Sequence, residues 1–201
     1  MSLAKYFAES IRVLERAAEC WPEELVAQAL ETIIEALQSG RPVLVCGNGG
    51  SAADAMHITG ELVGRFLVDR KALNVICLSS NTAVLSALAN DHSYDTVFAR
   101  QVEAYGAPGA VLIGISTSGI SANVVAAFER ARSLGMKTIA LTGEGGGKLF
   151  PLSDYLFAVP SRSTPLIQQS HICLYHYFCR AIEQAFVPEP AAQSLAAPIP
   201  G

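Results

Sequence analysis

The chain has 201 residues, a length at which one domain with a single substantial core is the expected organisation. Its formal net charge of -4, with no cluster of Lys and Arg, argues against a nucleic-acid-binding protein. No apolar run reaches the length of a membrane span, and the N-terminus lacks the basic-then-apolar layout of a signal peptide. We therefore expect a cytoplasmic protein with no membrane contact. The five cysteines form no CxxC pair, which indicates free thiols.

Two amphipathic helices precede the first predicted strand. Apolar residues such as Leu3 and Phe7 recur every three or four positions, which predicts a helix over residues 2–20 and, after a break at Trp-Pro, a second over 23–37. A sheet does not require these two helices. We therefore expect residues 1–39 to pack against a partner subunit, and a lid over one face of the sheet is the alternative.

From residue 42 the pattern alternates between strands and helices. Strands are predicted at 42–46, 73–78, 110–115, 137–142 and 155–159, and helices at 51–66, 82–89, 95–104, 120–134 and 165–186. Near-continuous apolar strands are typical of parallel strands buried on both faces. We predict an α/β fold with a doubly wound parallel sheet, in one domain over 1–187, with ligands at the carboxyl ends of the strands. The tail 188–201 has four prolines and no periodicity, so we predict that it is disordered.

A glycine-rich turn follows the first predicted strand. The segment Gly47-Asn48-Gly49-Gly50-Ser51 ends an apolar run and comes directly before a helix. Ser51 stands where an N-cap residue is expected, and the first-turn amides of a helix carry partial positive charge. The pattern matches neither the P-loop nor the GxGxxG fingerprint. Strand, turn and helix start together predict an anion site.

A second turn of this kind, Ser116-Thr117-Ser118-Gly119-Ile120-Ser121, follows the third predicted strand. Four hydroxyls beside helix-start amides predict a phosphate site without a fixed positive charge. A cluster of N-cap residues is the alternative, although one Ser or Thr suffices for a cap. The glycine-rich turn at 142–147 is explained by a flexible connection, and Asn90-Asp91 alone by a polar turn. Asp54 and Arg65 either form a pair, or Arg65 binds an anion.

Candidate catalytic or metal-binding side chains lie on two predicted helices. His57 and Glu61 are four residues apart and project from one helix face, although such a pair is commonly a surface contact. The last helix carries Gln168, Gln169, His171 and His176, of which either histidine alone is more often a core or interface residue. Gln168 and His176 are separated by about 80° around the helix and ~12 Å along it. They reach one ion only if the helix starts near Gln168 with room for its side chain, or if two chains form the site.

These motifs together resemble the phosphoheptose isomerases, a family with the sugar isomerase (SIS) fold. The resemblance rests on residues 47–57, 61–66, 90–91 and 114–124 and extends to about Phe186. It implies a five-stranded parallel sheet with two extra N-terminal helices, assembled as a homotetramer with active sites at subunit interfaces. The implied reaction converts sedoheptulose 7-phosphate to D-glycero-D-manno-heptose 7-phosphate through an enediol intermediate, for heptose and lipopolysaccharide biosynthesis.

The resemblance also implies roles for individual residues. The substrate-binding positions that it implies are Asn48, Gly49, Gly50, Ser51, Glu61, Asn90, Asp91, Ser116, Thr117, Ser118, Ser121 and Gln168. The implied ligands of one zinc ion per subunit are His57, Glu61, Gln168 and His176. Of these, Glu61 is the implied catalytic base and His176 the catalytic acid. One departure is Thr-Pro-Leu at 164–166, where the family often carries a charged residue.

Two other functions are compatible with this fold. A non-catalytic, DiaA-like relative that binds a replication initiator is similar at the phosphate loops but lacks the full set of His57, Glu61 and His176. A SIS module that senses a sugar phosphate within a transcription factor requires a DNA-binding domain, and the sequence shows no sign of one. The sequence therefore favours the isomerase.

Overall fold

The computed structural model describes residues 2–187, so the tail that was predicted to be disordered lies outside the described residues. The helices are α1 (Leu3–Cys20), α2 (Glu23–Gln38), α3 (Gly50–Val63), α4 (Thr82–Asp91), α5 (Val97–Tyr105), α6 (Ala122–Ser133) and α7 (Thr164–Phe186). The strands are β1 (Val43–Gly47), β2 (Val75–Cys77), β3 (Val111–Ser116), β4 (Lys137–Thr142) and β5 (Tyr155–Ala158). Every predicted helix and strand is present, with end points that differ by a few residues.

The five strands form one parallel sheet in the order β2-β1-β3-β4-β5. The chain builds outwards from β1 on one side and from β3 on the other, so the switch point lies between these two strands. Both are buried along their whole length, as their near-continuous apolar sequences predict. The predicted doubly wound α/β fold is confirmed.

Each face of the sheet covers a separate core. In β1, Val43 and Val45 belong to the core formed with α2, α3 and α7, while Leu44 and Cys46 belong to the core formed with α5 and α6. Side chains alternate between the two faces of a strand, so a strand covered on both sides needs apolar residues at every position. The packing on both faces thus explains the lack of polar residues in this strand.

The start of α3 differs from the prediction. Its N-cap is Gly49, whose φ of 55° lies in the left-handed region that favours glycine. Ser51 is buried within the first turn, so the prediction that Ser51 caps the helix is wrong. The helix also ends at Val63, before Gly64, rather than at residue 66.

The two N-terminal helices pack differently from each other. Helix α2 covers part of one sheet face through residues such as Ile33, as the lid alternative describes. Helix α1 packs beside the start of α7 through Val13 and Ala17. Three of its apolar side chains are more than half exposed: Leu3, Phe7 and Ile11. A groove of about 750 Å³ lies between α1, α2 and α7. The use of residues 1–39 in assembly stays a prediction.

Two further properties follow from the described residues. None of their helices combines the length and the apolar character that crossing a membrane requires. All five cysteines are free, as the absence of a paired spacing predicts.

His171 is a core residue that connects α7 to β4. Its side chain is fully buried, and its Nε2 donates to the Thr142 carbonyl oxygen at 3.1 Å. Its Nδ1 makes no hydrogen bond within residues 2–187. Burial lowers the pKa of His171 from 6.5 to about 4, because the hydrogen bond to Thr142 opposes that effect only in part. The imidazole is therefore neutral at neutral pH and serves the fold.

This buried imidazole makes the stability of the fold depend on pH. Between pH 6.5 and about 4 the unfolded chain binds a proton at His171 that the folded chain does not. The free energy of unfolding therefore falls as the pH falls through this window, by up to about 3 kcal/mol from this one group. Thermal unfolding across the window, at fixed protein concentration, measures the effect. In His171→Gln, which keeps a donor for Thr142, we expect a flatter dependence on pH; an unchanged slope would contradict the assignment.

Candidate active site

The two predicted anion-binding turns lie side by side at the switch point. In the register of the sheet, Gly47 at the end of β1 is paired with Ile115 near the end of β3. The turns that follow these two strands therefore leave the same edge of the sheet together. This is the position at which doubly wound sheets bind their ligands.

The turn after β1 requires glycine for reasons of space. A Cβ on Gly47 would lie 2.5 Å from the carbonyl oxygen of Ser51, so any side chain at this position would collide with α3. Ser79 braces the turn from the loop after β2: its hydroxyl accepts from the Gly47 amide at 3.1 Å and donates to the Gly47 carbonyl at 2.8 Å. The Ser79 side chain thus fixes the backbone at the point where β1 ends and the turn begins.

Asn48 links the two turns through a network that the sequence did not reveal. Its Nδ2 donates to Asn123 Oδ1 at 2.8 Å, and Asn123 Nδ2 donates back to Asn48 Oδ1 at 2.9 Å. The Tyr94 hydroxyl donates to the same Asn48 oxygen at 2.9 Å. Asn123, in the first turn of α6, is buried, so this amide pair fixes one turn against the other.

The hydroxyls of the second turn form a cluster. The Ser116 and Ser121 Oγ atoms are 2.9 Å apart, and Ser118 Oγ lies 3.5 Å from Ser116 Oγ. Ser121 is the N-cap residue of α6, yet its side chain makes no capping hydrogen bond within the described chain. The alternative of a simple capping cluster therefore does not account for Ser121. Thr117, half-buried, completes the set of four hydroxyls.

The third glycine-rich turn supports this hydroxyl cluster. Its Gly143 amide donates to the Thr117 carbonyl at 3.0 Å, and the Leu149 amide donates to the Gly119 carbonyl at 3.1 Å. Gly119 has φ of 66°, and a Cβ on it would lie 2.2 Å from the Gly146 carbonyl oxygen. The interpretation of residues 142–147 as a merely flexible connection is therefore wrong, because backbone packs directly on backbone here.

His57, Glu61 and His176 come together from α3 and α7. The His57 Nε2 lies 3.0 Å from Glu61 Oε1 and 3.5 Å from His176 Nε2. The pKa of His176 is lowered from its ordinary value, first by burial and then by the neighbouring His57, while Glu61 opposes the shift. Two elements far apart in the chain thus bring the Glu61 carboxylate and the His176 imidazole to the same nitrogen of His57.

Tyr175 and Asp54 lie behind His57, and the sequence did not indicate either contact. The Tyr175 hydroxyl is 3.0 Å from His57 Nδ1 and donates to Asp54 Oδ1 at 3.4 Å. Burial raises the pKa of Asp54, opposed by the Tyr175 hydrogen bond and by His57. The Tyr175 hydroxyl therefore engages one ring nitrogen of His57 and leaves Nε2 as the atom that faces Glu61 and His176. Asp54 thus contacts Tyr175, while Arg65 is exposed.

The other predicted site residues are only partly brought together. The Gln168 side chain crosses from α7 to the first turn of α3, where a Cβ on Gly50 would lie 2.3 Å from its Nε2. Gln169 donates to the Tyr6 hydroxyl instead, at 2.9 Å. Asn90 and Asp91 end α4, and their exposed side chains hydrogen-bond to each other at 2.8 Å. Gln168 thus reaches the glycine turn, and its contact with the His57 cluster remains a prediction.

The donor chemistry of the cluster fits zinc, which binds imidazole nitrogen and carboxylate oxygen. The described residues contain no ready-made group of three or more His, Cys, Asp or Glu side chains spaced to hold a metal ion. The contacts instead run pairwise through His57, whose Nε2 is close to both Glu61 and His176. The set of donors is suitable, and zinc binding remains a prediction.

Comparison with known proteins agrees with this geometry. Residues 5–143 match the model of the SIS domain, so the fold and the site define a SIS-domain protein. A phosphoheptose isomerase of Helicobacter pylori (strain P12) is 48% identical over 184 residues, which cover 92% of this chain and 95% of that relative. The chain belongs to the phosphoheptose isomerase family, as the sequence motifs predict.

Two solved structures of this family have the same fold. The phosphoheptose isomerase GmhA from Neisseria gonorrhoeae is 42% identical, with a TM-score of 0.84 over 90% of this chain and 96% of that one. A phosphoheptose isomerase from Francisella tularensis is 37% identical, with a TM-score of 0.86 over the same shares of the two chains, 90% and 96%. The predicted SIS fold is confirmed over almost the whole described chain.

A substitution at Gly119 tests whether the third glycine-rich turn holds the hydroxyl cluster in place. In Gly119→Ala the new methyl group collides with the Gly146 carbonyl, so the turn moves and we expect KM for a phosphorylated substrate to rise about tenfold or more. Gly145→Ala is the matched control, because Gly145 has φ of 78° but open space around it. Steady-state kinetics of both variants separate backbone strain from the collision. Equal KM values in the two variants would remove the supporting role of the third turn.

Proposed function

We propose that the protein is an aldose–ketose isomerase that converts sedoheptulose 7-phosphate to D-glycero-D-manno-heptose 7-phosphate. The observation that carries the proposal is the meeting of Glu61 with His57 and His176 beside two phosphate-type turns at the switch point. Membership of the phosphoheptose isomerase family supports the same reaction. Isomerisation of this kind moves a proton between adjacent carbons through an enediol, which a positioned acid–base pair performs.

The phosphate group is held by neutral donors in this proposal. Ser116, Ser118 and Ser121 supply clustered hydroxyls, and Thr117 adds a fourth. The first turn, with Asn48 fixed by its amide pair and Gly49, Gly50 and Ser51 following it, binds the sugar. Asn90 and Asp91 are further substrate contacts that the family pattern implies. Holding the phosphate end fixes the distance to the reacting carbons, which is the main benefit of binding.

Glu61 and His176 divide the proton transfers. Glu61 acts as the base that removes the proton from one carbon and returns it to the next, and its carboxylate is accessible to a ligand. His176, on α7, faces the same point and serves the proton exchange at the substrate oxygens. Phe66 packs against the His176 ring at 5.7 Å between centroids, which limits the directions that this imidazole can take.

In the proposed holoenzyme, His57, Glu61, Gln168 and His176 hold one zinc ion per subunit. When bound, zinc polarises a carbonyl oxygen and stabilises negative charge that develops there. The contact from Tyr175 to His57 Nδ1 supports this set, because metal-binding histidines usually engage their second nitrogen in a hydrogen bond.

We propose a homotetramer with active sites at the subunit interfaces. The support is the exposed apolar row of α1, at Leu3, Phe7 and Ile11, beside the groove between α1, α2 and α7. A partner subunit at this face buries that row. A cytoplasmic location is proposed from the five free thiols, since reducing conditions preserve them.

The reaction and the metal are tested together. We expect the purified protein to isomerise sedoheptulose 7-phosphate, to lose turnover after chelation, and to regain it when zinc is added back. If chelation leaves turnover unchanged, the isomerase activity stands and the proposed role of zinc is refuted. No turnover in any condition would favour a non-catalytic sugar-phosphate-binding protein, which titration with the substrate would then test.

The roles of the acid–base pair are tested by Glu61→Gln and His176→Gln. Each keeps the approximate size of the side chain and removes its proton chemistry, so we expect kcat to fall by about 10²- to 10⁴-fold. Gln169→Ala on the same helix as His176 is the control, since Gln169 contacts Tyr6 rather than the cluster. Either Glu61 or His176 variant with near-native turnover would refute the role of that residue.

A further inference from the structure

An ion pair is buried between α7 and the segment that follows α3. The side chains of Arg70 and Glu183 are only 1% and 2% exposed, and Arg70 Nε lies 3.4 Å from Glu183 Oε1. This Nε makes no hydrogen bond within residues 2–187, so the contact is electrostatic. Removing two charges from water is costly unless their other donors and acceptors are satisfied. The hydrogen bonds that satisfy these other donors and acceptors show which parts of the backbone the ion pair positions.

Glu183 binds three successive backbone amides. Its Oε1 accepts from the Phe66 amide at 2.9 Å, and its Oε2 accepts from the amides of Leu67 and Val68 at 2.7 and 3.0 Å. The segment 64–74 contains neither helix nor strand. Consecutive amides directed at one anion form a backbone nest, and here the anion is supplied by α7. The carboxylate therefore shapes this segment.

Arg70 closes the end of α3. Its Nη2 donates to the carbonyl oxygen of Glu61 at 2.9 Å, and its Nη1 donates to the carbonyls of Gly64 and Lys71, each at 3.2 Å. The last carbonyls of a helix lack intrahelical partners and carry partial negative charge, so a cation is favourable there. One guanidinium thus binds the backbone of the proposed catalytic base.

Glu183, the other member of the pair, is linked to His176 through Phe66. Glu183 follows His176 by seven residues and so lies on nearly the same face of α7, two turns further on. Phe66, whose amide Glu183 binds, packs its ring against His176. The bonds of the ion pair thus end on the backbone of Glu61 and on the residue that covers His176.

We propose that Arg70 and Glu183 are positioning residues for the isomerisation. They join the end of α3 to α7, so that Glu61 and His176 keep their separation while the substrate reacts. This inference rests on the proposed function. A purely structural link between two helices needs only apolar contacts, whereas this one directs its hydrogen bonds to the backbone beside the reacting groups.

Kinetics of two conservative variants test the proposal. Glu183→Gln removes the charge and leaves one oxygen for the amides, and Arg70→Lys keeps the charge but cannot bridge the Glu61 and Gly64 carbonyls. In each we expect kcat to fall about ten- to hundredfold while KM changes by less than about threefold. We also expect a larger primary deuterium isotope effect with substrate deuterated at the carbon that loses its proton.

Glu103→Gln is the matched control. Glu103 pairs with Arg100 and Arg130 on the surface, so its variant loses ion pairs that have no link to α3 or α7. We expect its kcat, KM and isotope effect to match those of the unmodified protein. Folded Glu183→Gln and Arg70→Lys proteins with native kcat and isotope effect would overturn the proposal and leave the pair a stabilising contact alone.

Two further measurements apply if Glu183→Gln fails to fold. Phe66→Leu retains the backbone bonds and removes the ring against His176, so we expect a reduced kcat; native kcat contradicts the proposal. Hydrogen exchange on the unmodified protein needs no turnover. We expect the amides of Phe66, Leu67 and Val68 to exchange slowly although they lie outside helices and strands, because each donates to Glu183. Rapid exchange would show that Glu183 does not hold this segment and would overturn the proposal. Absence of turnover in the unmodified protein rejects the proposed function instead, and the positioning role with it.

Discussion

The hydrogen-bonded pairing of β1 with β3 is the constraint on which the site depends. The two strands are adjacent in the sheet but separated in the chain by β2 and the helices α3, α4 and α5, and the chain builds away from them in opposite directions. The turns that follow them therefore lie side by side at the carboxyl edge of the sheet, with no crossing connection between them. Asn48 in the first turn and Asn123 at the start of α6, directly after the second turn, hydrogen-bond to each other through their side-chain amides. The phosphate-type cluster and the glycine turn form one site because these two strands pair.

Helix α7 brings further proposed catalytic side chains to this edge of the sheet. The helix crosses α3, brings His176 to His57 and Glu61, and places Tyr175 behind His57. Two further contacts fix α7 on either side of His176 along the helix: His171 binds the end of β4, and Glu183 binds the segment after α3. The acid–base groups thus belong to two helices whose relative position is fixed at several points, as a preorganised site requires.

Much of the fold followed from local patterns in the sequence. Buried parallel strands such as Val111–Ser116 are nearly all apolar, and the glycine- and serine-rich turns mark their ends. The same patterns identified His57, Glu61 and the hydroxyl cluster. The helix start at Gly50 was missed because Gly49 adopts a positive φ, a choice that the residue type permits but does not require. Contacts of Tyr175, Asn123 and Glu183 were missed for another reason: their partners are more than 70 positions away in the chain.

Helix α3 fixes the distance between the glycine turn and the Glu61 carboxylate. It begins at the glycine turn and carries Glu61 on its twelfth residue, with no irregularity between Gly50 and Val63. A residue inserted in this interval would turn the carboxylate by about 100° and advance it by ~1.5 Å. Substitutions within the helix can be absorbed by repacking, whereas changes in its length cannot. The length of α3 therefore sets the spacing between the glycine turn and Glu61, and an insertion or deletion anywhere between them would misplace the carboxylate.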